Sequence, residues 1–182
     1  CSIVSDGHRK GVIQGGGKPS NILLGQDINR TIYKISDFGS AYCDEPGAVY
    51  AVTPTGAFTS FYASPEQLKG ERPSIQFDLY ALGAILYEMI VGEMPFPCKG
   101  KEDFDRFLES VLHESPIAPS QRRTLVSSAV DQLTSRALQK EPSERYQTVG
   151  EMIEALREAA QAQSRYEAEL KGLYERANDL LD

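Results

Sequence analysis

The most continuous apolar segment covers residues 78–90 and is apolar on nearly every face of a helical period. A helix of this kind belongs at the centre of a hydrophobic core. Gly92 and Pro95 follow the segment, and both residue types end helices. The pattern therefore predicts a central, buried helix near residues 76–91.

Short β-type runs occupy the first quarter of the chain. Residues 22–24 and 32–35 form two such runs, and the polar stretch 26–30 between them is typical of a β-hairpin. A third run lies at 12–13. Residues 44–63 have no helical period and contain Pro, Gly, Thr and Ser. They predict a long loop, and a loop of that length in a compact domain is usually functional.

The second half of the chain has helical patterns with short breaks. Residues 102–112 have the spacing of a short amphipathic helix, and residues 116–121 have the composition of a loop. A further helix is predicted over residues 124–139. Its inward positions are Leu125, Val130, Leu133 and Leu138.

A long helix is predicted to begin after Thr148, because Glu151 stands three residues later in the spacing of a capping box. The apolar positions then step by three and four, with one irregular step before Leu170: Met152, Ala155, Ala159, Ala162, Tyr166, Leu170, Leu173, Ala177 and Leu180. An amphipathic extension of this kind packs on something. It either lies on its own domain or pairs in a helix-mediated dimer through residues 159–182.

Composition narrows the class of protein. The 182 residues include 19 Lys and Arg against 26 Asp and Glu, a formal charge of −7. This balance lacks the basic footprint of nucleic-acid binding, so we expect no nucleic-acid partner. No apolar run reaches the roughly 20 residues that span a bilayer. Three widely spaced Cys fit neither a disulfide framework nor a zinc site, which suits a reducing compartment. We therefore expect a cytoplasmic location.

Three short motifs follow one another in a fixed order. They are Lys18-Pro19-Ser20-Asn21-Ile22-Leu23-Leu24, Asp37-Phe38-Gly39 and Ser64-Pro65-Glu66. Together they resemble the signature set of a protein kinase, in particular the C-terminal lobe of the bacterial serine/threonine type. Segments at 78–83 and 141–145 are also kinase-like, so the resemblance covers roughly residues 1–160.

The resemblance implies an α+β fold that is mainly α-helical. It consists of a kinase-like C-lobe with a small β-hairpin layer and a long C-terminal helix. Residues 1–158 would form the lobe, and residues 159–182 a helical extension that acts as a coiled coil or a linker. The sequence contains no Gly-rich loop followed by a lysine-bearing strand, so the N-lobe is absent. If the chain is a fragment, that N-lobe is its partner in cis.

The candidate site residues follow from the same resemblance. Phosphoryl transfer requires neutralised phosphate charge and an acceptor hydroxyl held in line. Asn21 and Asp37 match the two Mg²⁺ ligands of the family, and their hard oxygen atoms suit that ion. Lys18 matches the lysine that neutralises the transferring phosphate. Thr59 matches the threonine of the substrate-binding loop. The resemblance therefore implies ATP and Mg²⁺ as cofactors and a protein substrate phosphorylated on Ser or Thr.

The sequence departs from the family at the catalytic loop. The family pattern H-R-D falls on Gln14, Gly15 and Gly16, so Gly16 occupies the catalytic Asp position, and Gly17 replaces an apolar residue. A positioned base contributes typically about 100- to 10,000-fold to the rate. We therefore expect impaired transfer. The alternative is a pseudokinase, a kinase-shaped module that binds partners or acts as a scaffold.

A nucleotide-binding P-loop is the other interpretation of the three consecutive glycines and Lys18. That motif requires Gly at position 12 and Ser or Thr at position 19. The chain has Val12 and Pro19 instead, and Pro19 has no backbone N–H to donate to a phosphate. The sequence therefore disfavours a P-loop.

Three further charged residues match scaffold positions of the family. Glu66 is expected to form a buried ion pair with Arg145, and Asp78 is expected to brace the catalytic loop through its backbone N–H groups. Thr53 and Thr55 lie on the activation-loop stretch and are candidate phosphorylation sites. The arginine that normally clamps a phosphate there is missing.

Overall fold

The computed structural model describes residues 2–27, 30–37, 41–43 and 60–179. Its helices are α1 (Ser2–Arg9), α2 (Pro65–Leu68), α3 (Ile75–Val91), α4 (Phe104–His113), α5 (Pro119–Arg122), α6 (Ser128–Ala137) and α7 (Val149–Asp179). Its strands are β1 (Val12–Ile13), β2 (Ile22–Asp27), β3 (Arg30–Ile35) and β4 (Tyr42–Cys43). The predicted α+β fold, mainly helical with a small hairpin layer and a long C-terminal helix, is confirmed.

The strands form two small antiparallel pairs. β2 and β3 are the predicted hairpin, in a register that opposes Ile22 to Ile35. β1 pairs with β4, so that Ile13 opposes Tyr42. The sequence did not predict β4, because two residues give no periodicity and their partner is distant along the chain. The second pair ties the start of the loop after β1 to the segment that follows Asp37.

Helix α3 is the central helix that its apolar pattern predicts. The Ser74 hydroxyl accepts a hydrogen bond from the Gln76 N–H at its start, and Gly92 ends it with a φ of 85°. Gly83 allows close contact with α6, since a Cβ at this position would lie 2.6 Å from the Cβ of Ala137. Two hydrophobic clusters bury α3. In the first, Leu79 of α3 packs with residues of later elements, among them Leu133, Tyr146 and Met152. The other includes Tyr80, Tyr87, Phe96 and Phe107.

Two predictions for residues 116–139 were wrong, the start of one helix and the absence of another. The helix expected over 124–139 begins only at Ser128, and Leu125, expected inside, is 61% exposed. Gln163 of α7 explains this, because its side chain bonds both the carbonyl of Leu125 and the N–H of Ser127. These bonds hold the segment outside the helix. The loop expected at 116–121 contains the short helix α5.

Helix α7 begins as its capping pattern predicts. The N–H of Glu151 donates to the Thr148 hydroxyl at 3.1 Å. The Glu151 carboxylate accepts from the N–H of Gln147 at 2.7 Å, one residue earlier than in the standard capping box. This backbone hydrogen bond, followed by the bond from Arg136, lowers the pKa of Glu151 although burial opposes it.

Arg145 is a buried hub that joins α2, α3 and the segment before α7. Its guanidinium donates two parallel hydrogen bonds to the Glu66 carboxylate, at 2.7 and 2.6 Å. It also donates to the carbonyls of Gln139, Lys140 and Gln76. Neither Arg145 nor Glu66 is more than 5% exposed in its side chain. The pair is therefore almost fully desolvated, and the two parallel hydrogen bonds hold it in addition to charge attraction.

Lys140 lies beside this hub and caps the end of α4. Its ammonium donates to the carbonyls of Ser110 and Val111 and lies 4.3 Å from the centre of the Phe96 ring. Burial, and after it the charge of Arg145, lowers the pKa of Lys140 to about 8. The pKa of this lysine therefore falls within the range of ordinary buffers.

We expect the Glu66–Arg145 pair to show strong coupling. Glu66→Leu or Arg145→Met alone leaves a buried charge without its partner, which costs about 3–5 kcal/mol of unfolding free energy. The double variant removes both charges, so its loss should be smaller than the sum of the two single losses. Urea unfolding followed by circular dichroism measures all four proteins. Additive losses would contradict the role of the ion pair.

We also expect Lys140 to make stability depend on pH. Its pKa is lower in the folded chain than its ordinary value of 10.5. Between these two values the unfolded chain binds a proton that the folded chain has released, so raising the pH favours folding. The parent protein should therefore gain unfolding free energy relative to Lys140→Met as the pH rises from about 7.5 to about 9.5. A difference that is constant over this range would refute the expectation.

Candidate functional site

The backbone of the loop after β1 is fixed by one buried carboxylate. Asp78, in the first turn of α3, accepts hydrogen bonds from the N–H groups of Gln14 at 2.9 Å and Gly15 at 2.8 Å. The His8 ring lies 2.8 Å from the same carboxylate, through its Nε2 atom. Asp78 is only 3% exposed. The three contacts hold residues 14–15 against α3 and use the lone pairs of this carboxylate.

Two amide side chains hold the carbonyl groups of the same loop. Gln67, in α2, donates from Nε2 to the carbonyl of Gly15 at 2.7 Å. Asn21 donates from Nδ2 to the carbonyl of Gly16 at 3.1 Å. Glycine loses more conformational freedom on folding than other residues. These bonds therefore offset part of the entropy that three consecutive glycines lose when the loop is ordered.

The amide of Asn21 is oriented by this contact. Asn21 is 7% exposed and ends the short 3₁₀ turn that begins at Pro19, after the half-buried Lys18. Because its Nδ2 atom is engaged by Gly16, the Oδ1 atom lies on the opposite side of the amide. That oxygen is the atom that would bind a metal ion.

Asp37 lies next to Asn21 at the end of the hairpin. The N–H of Ser36 donates to the carbonyl of Asn21 at 2.8 Å. Asn21 is therefore bonded to the residue that precedes Asp37. Gln14 donates from Nε2 to the carbonyl of Asp37 at 3.2 Å. Asp37 is exposed, and its φ of 61° is the only positive one among the described residues other than glycine. Such strained residues cluster at active sites and ligand clamps.

The side chains of Asn21 and Asp37 fit Mg²⁺. This ion binds to proteins through one or two oxygen ligands and keeps water or substrate phosphates as the others. Among the described residues, no group of three or more His, Cys, Asp or Glu side chains could hold a metal ion.

Gly17 marks a close approach between the loop and α3. A Cβ placed on Gly17 would lie 2.9 Å from the Cβ of Ala81. A cavity of about 30 Å³ lies beside it, with Leu82, Ile85 and Ile22 among its lining residues. The backbone of Gly17 therefore lies so close to α3 that a larger residue at position 17 would force a shift.

Some of the predicted residues lie outside the described part of the chain. These are Thr53, Thr55 and Thr59, together with Phe38 and Gly39 of the second motif. Their roles stay predictions. Conversely, sequence reasoning missed His8 and Gln67. His8 is one of only two histidines in the sequence, and this rarity was a weak indication of a role. The contact of Gln67 with Gly15 depends on tertiary structure, so nothing in the local sequence indicated it.

The arrangement has chemical consequences that differ for binding and for catalysis. An amide oxygen, a carboxylate and the half-buried Lys18 lie along one short stretch of the loop and hairpin. Oxygen ligands and a cationic side chain suit a phosphate group with its metal ion. No acidic residue occurs between Gln14 and Asn21. The loop and hairpin therefore offer oxygen atoms and a cation, whereas the segment between Gln14 and Asn21 offers no carboxylate.

No helix in the described ranges is both long enough and apolar enough to cross a bilayer.

Comparison with known proteins agrees with the motifs and the fold. Residues 4–158 match the protein kinase domain family. The chain is 35% identical over 152 residues to serine/threonine-protein kinase PknB of Mycobacterium leprae, and 36% identical over 154 residues to that of Mycobacterium tuberculosis. A probable serine/threonine-protein kinase of Clostridium perfringens is 33% identical over 146 residues.

These alignments cover 84%, 84% and 80% of this chain, but only 24%, 24% and 20% of the respective relatives. The chain thus spans about a quarter or less of the length of the kinases that it matches. Because the family match covers most of its residues, the chain belongs to the protein kinase family and is similar to the bacterial serine/threonine kinases.

Proposed function

We propose that this chain is the C-lobe of a serine/threonine protein kinase domain that holds the phosphates of Mg-ATP but transfers phosphate to protein slowly. One observation carries the proposal. At the end of the hairpin a backbone hydrogen bond joins Asn21 to Ser36, the residue before Asp37, and the Asn21 amide contacts Gly16 at the catalytic position. Binding groups are thus retained where the base is missing.

Three residues would hold the cofactor. The Oδ1 atom of Asn21 and the carboxylate of Asp37 would bind Mg²⁺, and Lys18 would contact the transferring phosphate. Bound ATP supplies the phosphoryl group, and Mg²⁺ neutralises its charge. The hydrogen bond of Asn21 to Gly16 orients the Asn21 amide, and the bond from Gln14 to the Asp37 carbonyl holds the backbone that carries the Asp37 carboxylate. Such orientation is the main contribution that a protein makes to this reaction.

The loss of rate follows from the lack of a proton acceptor. Asp78 is the carboxylate that touches the loop, but it is buried and already contacts two backbone N–H groups and His8. Its hydrogen bonds make it a positioning residue. The acceptor hydroxyl would have to lose its proton to water or to the phosphate, without a positioned base.

The exposed face of the hairpin supports an N-lobe partner in cis. Leu24 and Tyr33 are opposed across β2 and β3, on one face of the hairpin, and are 71% and 59% exposed. Contiguous apolar groups of this kind mark an interaction surface. In this proposal the nucleotide-covering lobe, which the sequence lacks, packs on this hairpin. The protein substrate would bind at the loop before α2, where Thr59 lies.

A pseudokinase is the second candidate function, and the bonding of the loop favours it. Gln14 and the three glycines that follow keep an ordered path through contacts with Asp78, Gln67 and Asn21. The kinase shape is therefore maintained without the catalytic Asp. A module that acts by binding to partners requires only this shape.

The decisive variant is Gly16→Asp, assayed in the intact gene product with Mg-ATP and a generic Ser/Thr protein substrate. Gly15 has a φ of 66°, whereas Gly16 has no positive φ, so its backbone conformation does not favour glycine over aspartate. We expect Gly16→Asp to raise the transfer rate by about 100- to 10,000-fold, because it restores a base. Gly16→Asn, which has the same size but no basic carboxylate, should leave the rate unchanged.

Two controls separate the candidate functions. Asp37→Ala should abolish any residual transfer and weaken Mg-dependent binding of ATP. Nucleotide binding without transfer in the parent or in Gly16→Asp would favour the pseudokinase. A parent protein that already transfers phosphate as fast as Gly16→Asp would contradict the proposed impairment.

A further inference from the structure

Helix α7 continues well beyond the kinase-like domain. The family match ends at residue 158, whereas the helix runs to Asp179. Ala159 is 3% exposed, and Gln163 still bonds the segment before α6. Among the described residues, no hydrogen bond or ion pair joins 168–176 to another element. Residues 168–179 therefore form roughly 18 Å of helix without such an anchor, at about 1.5 Å per residue.

The end of α7, from Tyr166 onward, has an apolar stripe. Tyr166, Leu170 and Leu173 follow one another at spacings of four and three, and the pattern continues at Ala177. In a heptad these are alternating d and a positions. Leu173 is 55% exposed, and the adjacent Tyr174 is 70% exposed. Short helices are only marginally stable in water without tertiary contacts, so the stripe indicates a missing partner.

The charges beside the stripe are complementary to those of a second copy of the chain. Glu169 and Arg176 both occupy the g position of this heptad and are exposed. In an antiparallel pair, the g positions of the two helices face each other, and Leu170 packs against Leu173 of the second copy. Glu169 of each copy then faces Arg176 of the other. The symmetry of the pair produces this contact twice.

A parallel pair would not make these contacts. The g position of one helix then faces an e position of the other, so Glu169 would face Tyr174. Opposite charges meet only when the helices run in opposite directions. We propose that residues 166–177 of α7 pair with the same segment of a second copy as a short antiparallel coiled coil.

A groove at the base of the free helix is compatible with this orientation. Its lining residues include Ile90, Leu125 and Arg122, and Gln163 and Glu167 of α7 form one side. An antiparallel second helix would pass this groove with its C-terminal end. Leu125, which is 61% exposed in the single chain, lies there to receive it. The pairing would therefore cover apolar surface on the domain as well as on the helix.

Charge-reversal variants test both the dimer and its direction. Glu169→Arg makes all four facing g positions positive, and Arg176→Glu makes them all negative. Each variant alone should dimerise about tenfold or more weakly than the parent, because two attractive contacts become repulsive. A one-to-one mixture of the two variants should recover the affinity of the parent, since every facing pair is then opposite in charge. Sedimentation equilibrium measures these affinities.

Lys171→Glu is the matched control. Lys171 forms a 3.9 Å pair with Glu175 on the outer face of the helix, and its reversal changes the net charge as much as Arg176→Glu does. It should leave dimerisation unchanged. Circular dichroism verifies that every variant keeps its helix. A parent protein that stays monomeric at high concentration would overturn the proposal. A dimer that ignores the reversals, or a mixture no tighter than its components, would overturn the antiparallel pairing.

Discussion

The candidate site depends on one buried carboxylate at the start of the central helix. Asp78 accepts the N–H groups of Gln14 and Gly15 and contacts His8, so it sets the path of a loop that contains three consecutive glycines. Its own position is fixed because α3 is buried between two hydrophobic clusters. The packing of α3 in the core therefore fixes Asp78, and Asp78 in turn fixes the loop that carries the candidate site.

The same arrangement separates two tasks that are combined in an active kinase loop. In the proposed function, orientation of phosphate and metal would depend on Asn21, Asp37 and the backbone contacts that hold them. Removal of a proton depends on a carboxylate at position 16, where this chain has glycine. Because the backbone contacts involve N–H and carbonyl groups, they persist when the side chains of the loop are lost. The proposed function therefore treats nucleotide binding as independent of the missing base.

The main elements of the fold could be predicted from the sequence, but the contacts between distant residues could not. The all-round apolar pattern of α3 and the alternation of the hairpin are local, and both elements form where the pattern indicates. The motif spacing also selected Asn21 and Asp37 as candidate ligands, and their role stays a prediction. By contrast, the Gln67 contact with Gly15 joins residues 52 positions apart. Leu125 was misplaced because Gln163, a distant residue of α7, decides where α6 begins.

The central claim is that nucleotide binding and proton removal are separable in this loop, and binding affinity tests it most directly. Calorimetric titration of Mg-ATP into the intact protein and its Gly16→Asp variant compares the two affinities. The account predicts binding by both proteins with dissociation constants that agree closely, and loss of affinity in Asp37→Ala. Absence of binding by the parent, with binding restored by Gly16→Asp, would contradict it, because the ligands would then depend on the missing carboxylate.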